Sequence, residues 1–436
     1  MRFAVAVHGT RGDVEPCAAV ALELRRRGHD IAMAVPPDLV GFVESAGLPA
    51  VAYGPHAQLQ MEEDFFQQFW SARTWGNFVQ SAREYVTRGW AAMNTVVTEL
   101  AEGADLVLTG TTYQEVAANV AEHYGVPFAG LHYFPVRANG HLWPLLPSPL
   151  NYAVVTAFSW AHWRIIAEAD AAQRSELYLS PIIGPSYRQH LQRGALEIQA
   201  YDPILFHGLS DEWRRRRPFV GGLTLGLATA ADPDIDSWLS AGSPPIYFGF
   251  GSMPLKSPHA MISIVSEACQ LLGQRALISC PSVSDAQLPA LPSHIKIVGA
   301  VNHSAVFPRC RAVVHHGGAG TTTAALRAGV PTLILWFGAD QPIWAGQVKH
   351  LGVGSAQRFS TVTVSALTAR LRSILTPEYA ARARFTSMRM TDADTSLHAT
   401  ADLLEETARR SAHQRGRTVQ SARYFSDAGA AVQLRR

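Results

Sequence analysis

AVVHHGGAGTTTAALRAGVPTLILWFGADQP, running from Ala312 to Pro342, decides how this chain folds. It opens with the apolar run Ala312 to Val314 and breaks into His315-His316-Gly317-Gly318-Ala319-Gly320. Thr321 to Ala328 reads as helix, and Gly329-Val330-Pro331 stops it. A second apolar run, Thr332 to Phe337, is closed by Gly338-Ala339-Asp340-Gln341. Strand, glycine loop, helix and strand make one βαβ unit with its polar residues at the strand ends. Glycines there let the backbone approach a ligand, and the N–H groups opening the helix attract anions. A phosphate is the expected guest.

Working outward, 436 residues suffice for two domains, because single cores stop growing near about 250–300 residues. The apolar share of 47% suits buried parallel strands. With 37 basic and 35 acidic residues the net charge is +2, so no nucleic-acid partner is implied. Cys17, Cys269, Cys280 and Cys310 show no CxxC spacing, which suggests a reducing compartment without structural zinc. MRFAVAVHGT has an apolar run too short for a signal peptide and reads as a first buried strand. No run approaches the roughly 18–20 apolar residues of a membrane span. A soluble, cytoplasmic chain is expected, with peripheral contact at the inner membrane face as its one open membrane role.

The first half alternates strand and helix. Phe3 to Val7 is a strand, Gly9 to Asp13 its loop, and Ala18 to Arg27 a helix ended by Gly28. Asp30 to Val35 and Leu48 to Tyr53 follow as strands, with Val40 to Ala46 helical between them. Ala57 to Leu100 reads as helix rich in aromatics, including Phe65, Phe66, Phe69 and Trp70. Leu106 to Gly110 and Pro127 to His132 are strands around a helix from Gln114 to Tyr124. An amphipathic helix then carries Tyr152, Phe158, Trp160, Trp163 and Ile166. These aromatics pack a core or line an apolar cleft; Glu168 and Asp170 argue against a helix lying on a membrane. Ile204 to Phe206 reads as the last strand of this half, and Arg214 to Arg217 as a solvated turn.

Gly221 to Pro245 is the linker candidate. A second series follows: Pro245 to Phe250 as strand, Gly251-Ser252 as loop, His259 to Leu272 as helix, then strands at Arg275 to Ser279 and Ile295 to Val298. Ser365 to Leu375 and Ser396 to Arg410 are helices, and the polar text beyond Ser411 is left without structure. Two doubly wound α/β halves therefore face each other, with ligands expected at the carboxyl ends of their strands.

Three features need one chemistry: Asp13 in the first half, the anion loop with His316 in the second, and Asp340-Gln341 one strand later. Transfer of a sugar from a nucleotide diphosphate uses all three. His316 and the N–H groups of Gly318 to Thr321 can meet the charge of a leaving diphosphate. Ser252 adds a hydroxyl, and Asp340 and Gln341 offer partners to sugar hydroxyls. Asp13 would take the acceptor's proton from the opposite wall. Attack from one domain and departure into the other implies in-line displacement and inversion. The plainer alternative for Asp13 is a helix cap.

GTRGDVEP together with HHGGAGTTTAALRAGVP and GADQPIWAGQV resembles the GT-B UDP-glycosyltransferase superfamily over Met1 to about Ala412. The nearest branch is that of bacterial antibiotic, sterol and glycolipid (glycopeptidolipid-type) enzymes. The resemblance implies two Rossmann-like domains across a cleft, with a C-terminal helix crossing back. Residues 1–216 would bind the acceptor, 217–244 link, 245–385 bind the nucleotide sugar, 386–411 form the returning helix, and 412–436 a polar tail. By the same resemblance Asp13 is the base, His316 and Ser252 meet the diphosphate, and Asp340 and Gln341 hold the sugar. Thr10, Gly251, Val301, Gly318, Ala319, Gly320 and Thr321 complete the expected donor site, and His132, Phe134, His141 and Trp143 an acceptor site. No metal and no cofactor are expected beyond the co-substrate, a UDP- or dTDP-sugar. The acceptor is an apolar or amphipathic small molecule or lipid. Plant members stack the base on a tryptophan where this chain reads Gly299-Ala300-Val301-Asn302-His303. Trp336-Phe337 stands where relatives often carry proline and a small or polar residue, which points toward a deoxy sugar.

Asp232, Asp234 and Asp236, and likewise Asp392 and Asp394, imitate the DxD of metal-dependent transferases, but lie in linker or capping text rather than after a strand. An NAD(P)-dependent dehydrogenase is the rival enzyme, since Asp340 follows Gly318-Ala319-Gly320 at a ribose-acid spacing. Thr323 occupies its third glycine, however. A non-catalytic sugar-nucleotide-binding partner would not need Asp13.

Overall fold

Residues 1–62, 75–213, 216–225, 233–251, 253, 257–280 and 292–433 are described by a computed structural model. The first sheet uses β1 (Arg2–Ala6), β2 (Asp30–Val35), β3 (Ala50–Ala52), β4 (Leu106–Thr109), β5 (Phe128–His132) and β6 (Leu196–Gln199). The second uses β7 (Ile246–Gly249), β8 (Ala276–Ser279), β9 (Ile295–Val298), β10 (Ala312–His315), β11 (Thr332–Trp336) and β12 (Gly354–Arg358). Their orders are β3-β2-β1-β4-β5-β6 and β12-β11-β10-β7-β8-β9, every pairing parallel. Both are the doubly wound order, whose switch points lie beside β1 and β7. The apolar runs form strands because helices cover both faces: Phe3 to Val7 and Ala312 to Val314 are fully buried.

Five helices position the site: α1 (Arg11–Arg26), α2 (Ser148–Glu176), α3 (Ala319–Arg327), α4 (Gln341–His350) and α5 (Ala393–Gln433). The halves share an apolar seam in which Tyr201, Phe206 and Trp213 meet Ile343, Trp344 and Val348. α5 crosses back. Ala401, Leu404 and Ala408 enter the first core, Arg27 pairs with Asp402 at 2.6 Å, and His29 lies 2.9 Å from Glu405. Arg327 ties the crossing down by donating to the carbonyls of Gly222 (2.8 Å) and Thr391 (2.9 Å).

Several expectations are corrected. The last strand of the first half is Leu196–Gln199; Ile204 to Phe206 falls on a 3-10 turn, Pro203–Leu205, capped by Asp202. β6 escapes a pattern search because it carries Glu197 inside, paired with Arg137 and Arg217 at 2.6 Å each. Arg217 is therefore no solvated turn residue. The text beyond Ser411 continues α5 as helix to Gln433. Phe65, Phe66, Phe69 and Trp70 lie outside the described residues. Among those described, no helix is long and apolar enough to cross a membrane.

Candidate functional site

α1 starts four residues past β1 and earlier than Ala18, so Asp13, expected in the loop, lies in the helix's first turn. Its Oδ2 accepts from the Thr10 N–H at 2.8 Å and the Thr10 hydroxyl at 3.2 Å, so the capping reading of Asp13 is realised. A Cβ on Gly9 would fall on that carboxylate, and Gly9 has φ +133°. Tyr133, just past β5, donates its hydroxyl to the Asp13 carbonyl at 2.7 Å. Burial pushes the Asp13 carboxyl up to about 7. The Thr10 hydrogen bonds oppose the rise, and the negative charge of Asp340 in the other domain adds to it. Asp13 and Asp340 therefore address one space.

On the facing wall, strand alternation turns the two histidines apart. His315 is fully buried, and its Nδ1 accepts from the Gly317 N–H at 3.0 Å, which holds the glycine turn. His316 looks outward between two glycines. A Cβ on Gly318 would lie 2.6 Å from its Nε2, and one on Gly251 (φ +59°) would lie 2.8 Å from its Cε1. Burial lowers His316 to about 4, helped by His303, with the Gly249 carbonyl pulling the other way. At neutral pH the imidazole is thus uncharged. α3 begins at Ala319 with Gly318 as N-cap and no side chain capping it. The N–H groups of Ala319, Gly320 and Thr321 occupy its first three positions, with the positive end of the helix dipole behind them.

Asp340 opens α4, its Oδ2 accepting from Trp344 Nε1 at 2.9 Å, and burial raises its pKa. Gln341 is buried: its Oε1 accepts from the N–H groups of Phe337 (2.7 Å) and Gly338 (3.3 Å), and its amide donates to Met253 Sδ (3.0 Å). In this state Gln341 shapes the loop around Asp340. Ala339, at φ 56°, holds that loop in a conformation rare for alanine. Phe337 stacks on Phe359 at 4.0 Å, and Arg358 lies over Trp336. On the loop after β9, Val301 is half-buried, and His303, which opens the short helix His303–Val306, stacks flat on Phe307 at 4.4 Å. The charges of Glu15 and Arg11 on α1 reach His303 from across the cleft.

The other expected residues divide. Ser252 and Asp232 lie outside the described residues. Asp236 pairs with Arg309 at 2.6 Å, and Asp392 caps α5 through the Thr395 N–H at 2.8 Å. Among the acceptor set, Phe134 and Trp143 line the seam beside Trp344, and His141 lies 3.3 Å from Glu212. His132 is fully buried against Gln199, which leaves it no surface for a ligand. Burial lowers it to about 3. Tyr133 and Trp344 escaped the sequence reading. Tyr133 directly follows β5 and Trp344 lies in the first turn of α4; each is a polar-tipped aromatic, a signal indistinguishable from core packing without coordinates.

Facing doubly wound sheets, a polar cleft between their strand ends and a returning C-terminal helix define a GT-B glycosyltransferase, and the chain belongs to that superfamily. Residues 3–141 match the glycosyltransferase family 28 N-terminal domain, and residues 265–406 the erythromycin biosynthesis protein CIII-like C-terminal domain. The chain is 55% identical over 413 residues to the uncharacterized glycosyltransferase Rv1524 of Mycobacterium tuberculosis, covering 94% of this chain and 100% of the relative. It is 31% identical over 401 residues to the vancomycin aglycone glucosyltransferase of Amycolatopsis orientalis, covering 88% and 92%. Among solved structures, the glycosyltransferase VinC in complex with dTDP superposes with a TM-score of 0.67 at 21% identity, covering 94% of this chain and all of that one. The kitacinnamycin glycotransferase gives 0.68 at 19%, covering 93% and 99%. At such identities these structures speak for the fold.

Proposed function

We propose that the chain is an inverting, metal-independent transferase. It would move a hexose or deoxyhexose from a UDP- or dTDP-sugar to a hydroxyl of an apolar or amphipathic acceptor, such as a glycolipid, lipopeptide, sterol or other natural product. What supports the reading is that the Asp13 carboxyl, which burial raises to about 7, feels the charge of Asp340 from the domain that carries the His316 loop. A base with that pKa is largely ionised just above neutrality yet basic enough to accept a hydroxyl proton. In the proposed step the acceptor oxygen gives its proton to Asp13 and bonds to the anomeric carbon. The bond to the diphosphate breaks on the opposite face, with inversion. The leaving charge meets His316 and the N–H groups opening α3, so the scheme calls on no divalent ion. Asp340 accepts from a sugar hydroxyl. The apolar walls at Phe134 and Trp143 support an apolar acceptor. The dTDP bound to VinC supports a nucleotide diphosphate donor, with UDP and dTDP both kept.

The test is a panel of UDP- and dTDP-sugars incubated with lipid-extract acceptors, with the product anomer read by NMR. A product of inverted configuration is expected. Retention of configuration, or no transfer or hydrolysis from any sugar nucleotide, would overturn the proposal.

A further inference from the structure

The outer face of α2 reverses the usual pattern of a surface helix, which keeps its polar residues toward water. From Leu142 to Trp163 the chain contains no Asp, Glu, Lys or Arg. Leu150, Val154 and Phe158 form one stripe at i, i+4 and i+8, and they are 52%, 46% and 69% exposed. Ala153, Ala157, Ala161 and Trp160 flank the stripe, while Asn151, Val155 and Ile166 face the protein. Leu145, in the loop leading into the helix, is 96% exposed. The face runs for about 20 Å at 1.5 Å per residue before Arg164 ends it. An apolar patch this continuous marks a partner.

We propose that this ridge docks the protein on a lipid surface. Its side chains project from a helix and a loop tip rather than line a pocket, so the partner must envelop them, as an acyl layer does. No carboxylate lies within the stretch itself, and Glu212, which reaches it at Tyr152, is held by the Tyr152 hydroxyl and the Gly140 N–H. Two basic groups meet its end: Arg164 on the helix, and Arg188, whose guanidinium lies 5.8 Å from the centre of the Trp160 ring; Glu168, one turn further along, is paired with Arg83 at 3.1 Å. Ile183, equally unprotected, sits next to Gly184, which packs on Trp160. Apolar side chains flanked by tryptophan and arginine are the composition of an interfacial helix. The inner side of the same helix places Val155 in the cluster that holds Phe134 and Trp143. The ridge is thus continuous with the wall of the cleft, and an acceptor embedded in that lipid surface lies next to it. This docking goes beyond the transfer reading and does not depend on it.

The experiment sediments the full chain with phosphatidylcholine vesicles, with and without phosphatidylglycerol. Wild type is expected to co-sediment, more strongly with the anionic vesicles. The combined Leu145→Ser, Leu150→Ser and Phe158→Ser variant should lose about tenfold or more in partitioning per side chain. Arg164→Gln should weaken only the anionic preference. Melting temperature and UDP or dTDP binding, read separately, should match wild type in each variant. Wild type that stays in the supernatant with both vesicles overturns the proposal, as does equal sedimentation of the triple variant. So does a self-association of wild type that the triple variant abolishes while neither binds vesicles, which would make the ridge a contact between copies.

Discussion

Asp13→Asn removes a charge that the fold holds against its preference. The carboxyl rises from 3.8 to about 7 on folding because burial disfavours the anion. Its contribution to stability is therefore fully present below about 3.8 and is lost as the pH rises through about 7. At about 1.4 kcal/mol per pH unit the full cost above neutrality is about 4 kcal/mol. Asp13 keeps some contact with water, which brings this to about 2–3 kcal/mol. Asparagine keeps an oxygen for the Thr10 N–H and has no charge to bury. The variant should therefore melt several degrees higher than wild type at pH 8, at about 2–4 °C per kcal/mol for a domain of this size. The gain should shrink by more than half at pH 5. Turnover should fall by about 10²–10⁴, the usual worth of a general base, while donor binding stays nearly intact. Wild-type kcat/KM should rise with pH to a midpoint near 7. Scanning calorimetry at the two pH values and a pH–rate profile read all of this. A variant less stable than wild type at pH 8 would refute the buried-anion argument. One that keeps more than about a third of turnover would place the base elsewhere.

His316→Ala should weaken binding of the nucleotide diphosphate and lower the rate together, by about 1.5–3 kcal/mol in binding. Because the free imidazole titrates at about 4, diphosphate binding near pH 6 should take up protons through His316. Calorimetry in buffers of different ionisation enthalpy reads this, and uptake unchanged in the variant would refute it. Gly318→Ala should imitate His316→Ala, since its methyl would displace the imidazole; affinity equal to wild type would show that the ring is not held there. Trp344→Phe frees the Asp340 carboxylate and should cost about tenfold in kcat/KM for the donor, the worth of one hydrogen bond to a charged group; an unchanged value would remove Asp340 from the sugar site. Activity should survive excess EDTA, and its restoration by one divalent ion after chelation would sink the metal-independent scheme.

Local pattern was enough for much of the fold. The glycine loop between two apolar runs specified the βαβ unit of β10, α3 and β11, and strand alternation separated His315 from His316, because side-chain direction at a strand end depends on nothing distant. The position of Asp13 beyond the carboxyl end of β1 was legible for the same reason, though the helix that carries it begins at Arg11, ahead of the expected Ala18. Tertiary structure decided whatever depends on a partner far along the chain. Glu197 reads as polar text until Arg137 and Arg217 close on it, so sequence alone favours Ile204 to Phe206 over β6 as the last strand. Gln341 has the composition of a ligand contact, yet its amide is occupied by its own loop and Met253. The aromatics of α2 could belong to a core or to a surface. Only the helix's rotation against the sheet shows that Leu150, Val154 and Phe158 face outward. Even the acidity of Asp13 is tertiary: residue type and spacing name a carboxylate, but burial and the nearby charge of Asp340 set its proton affinity.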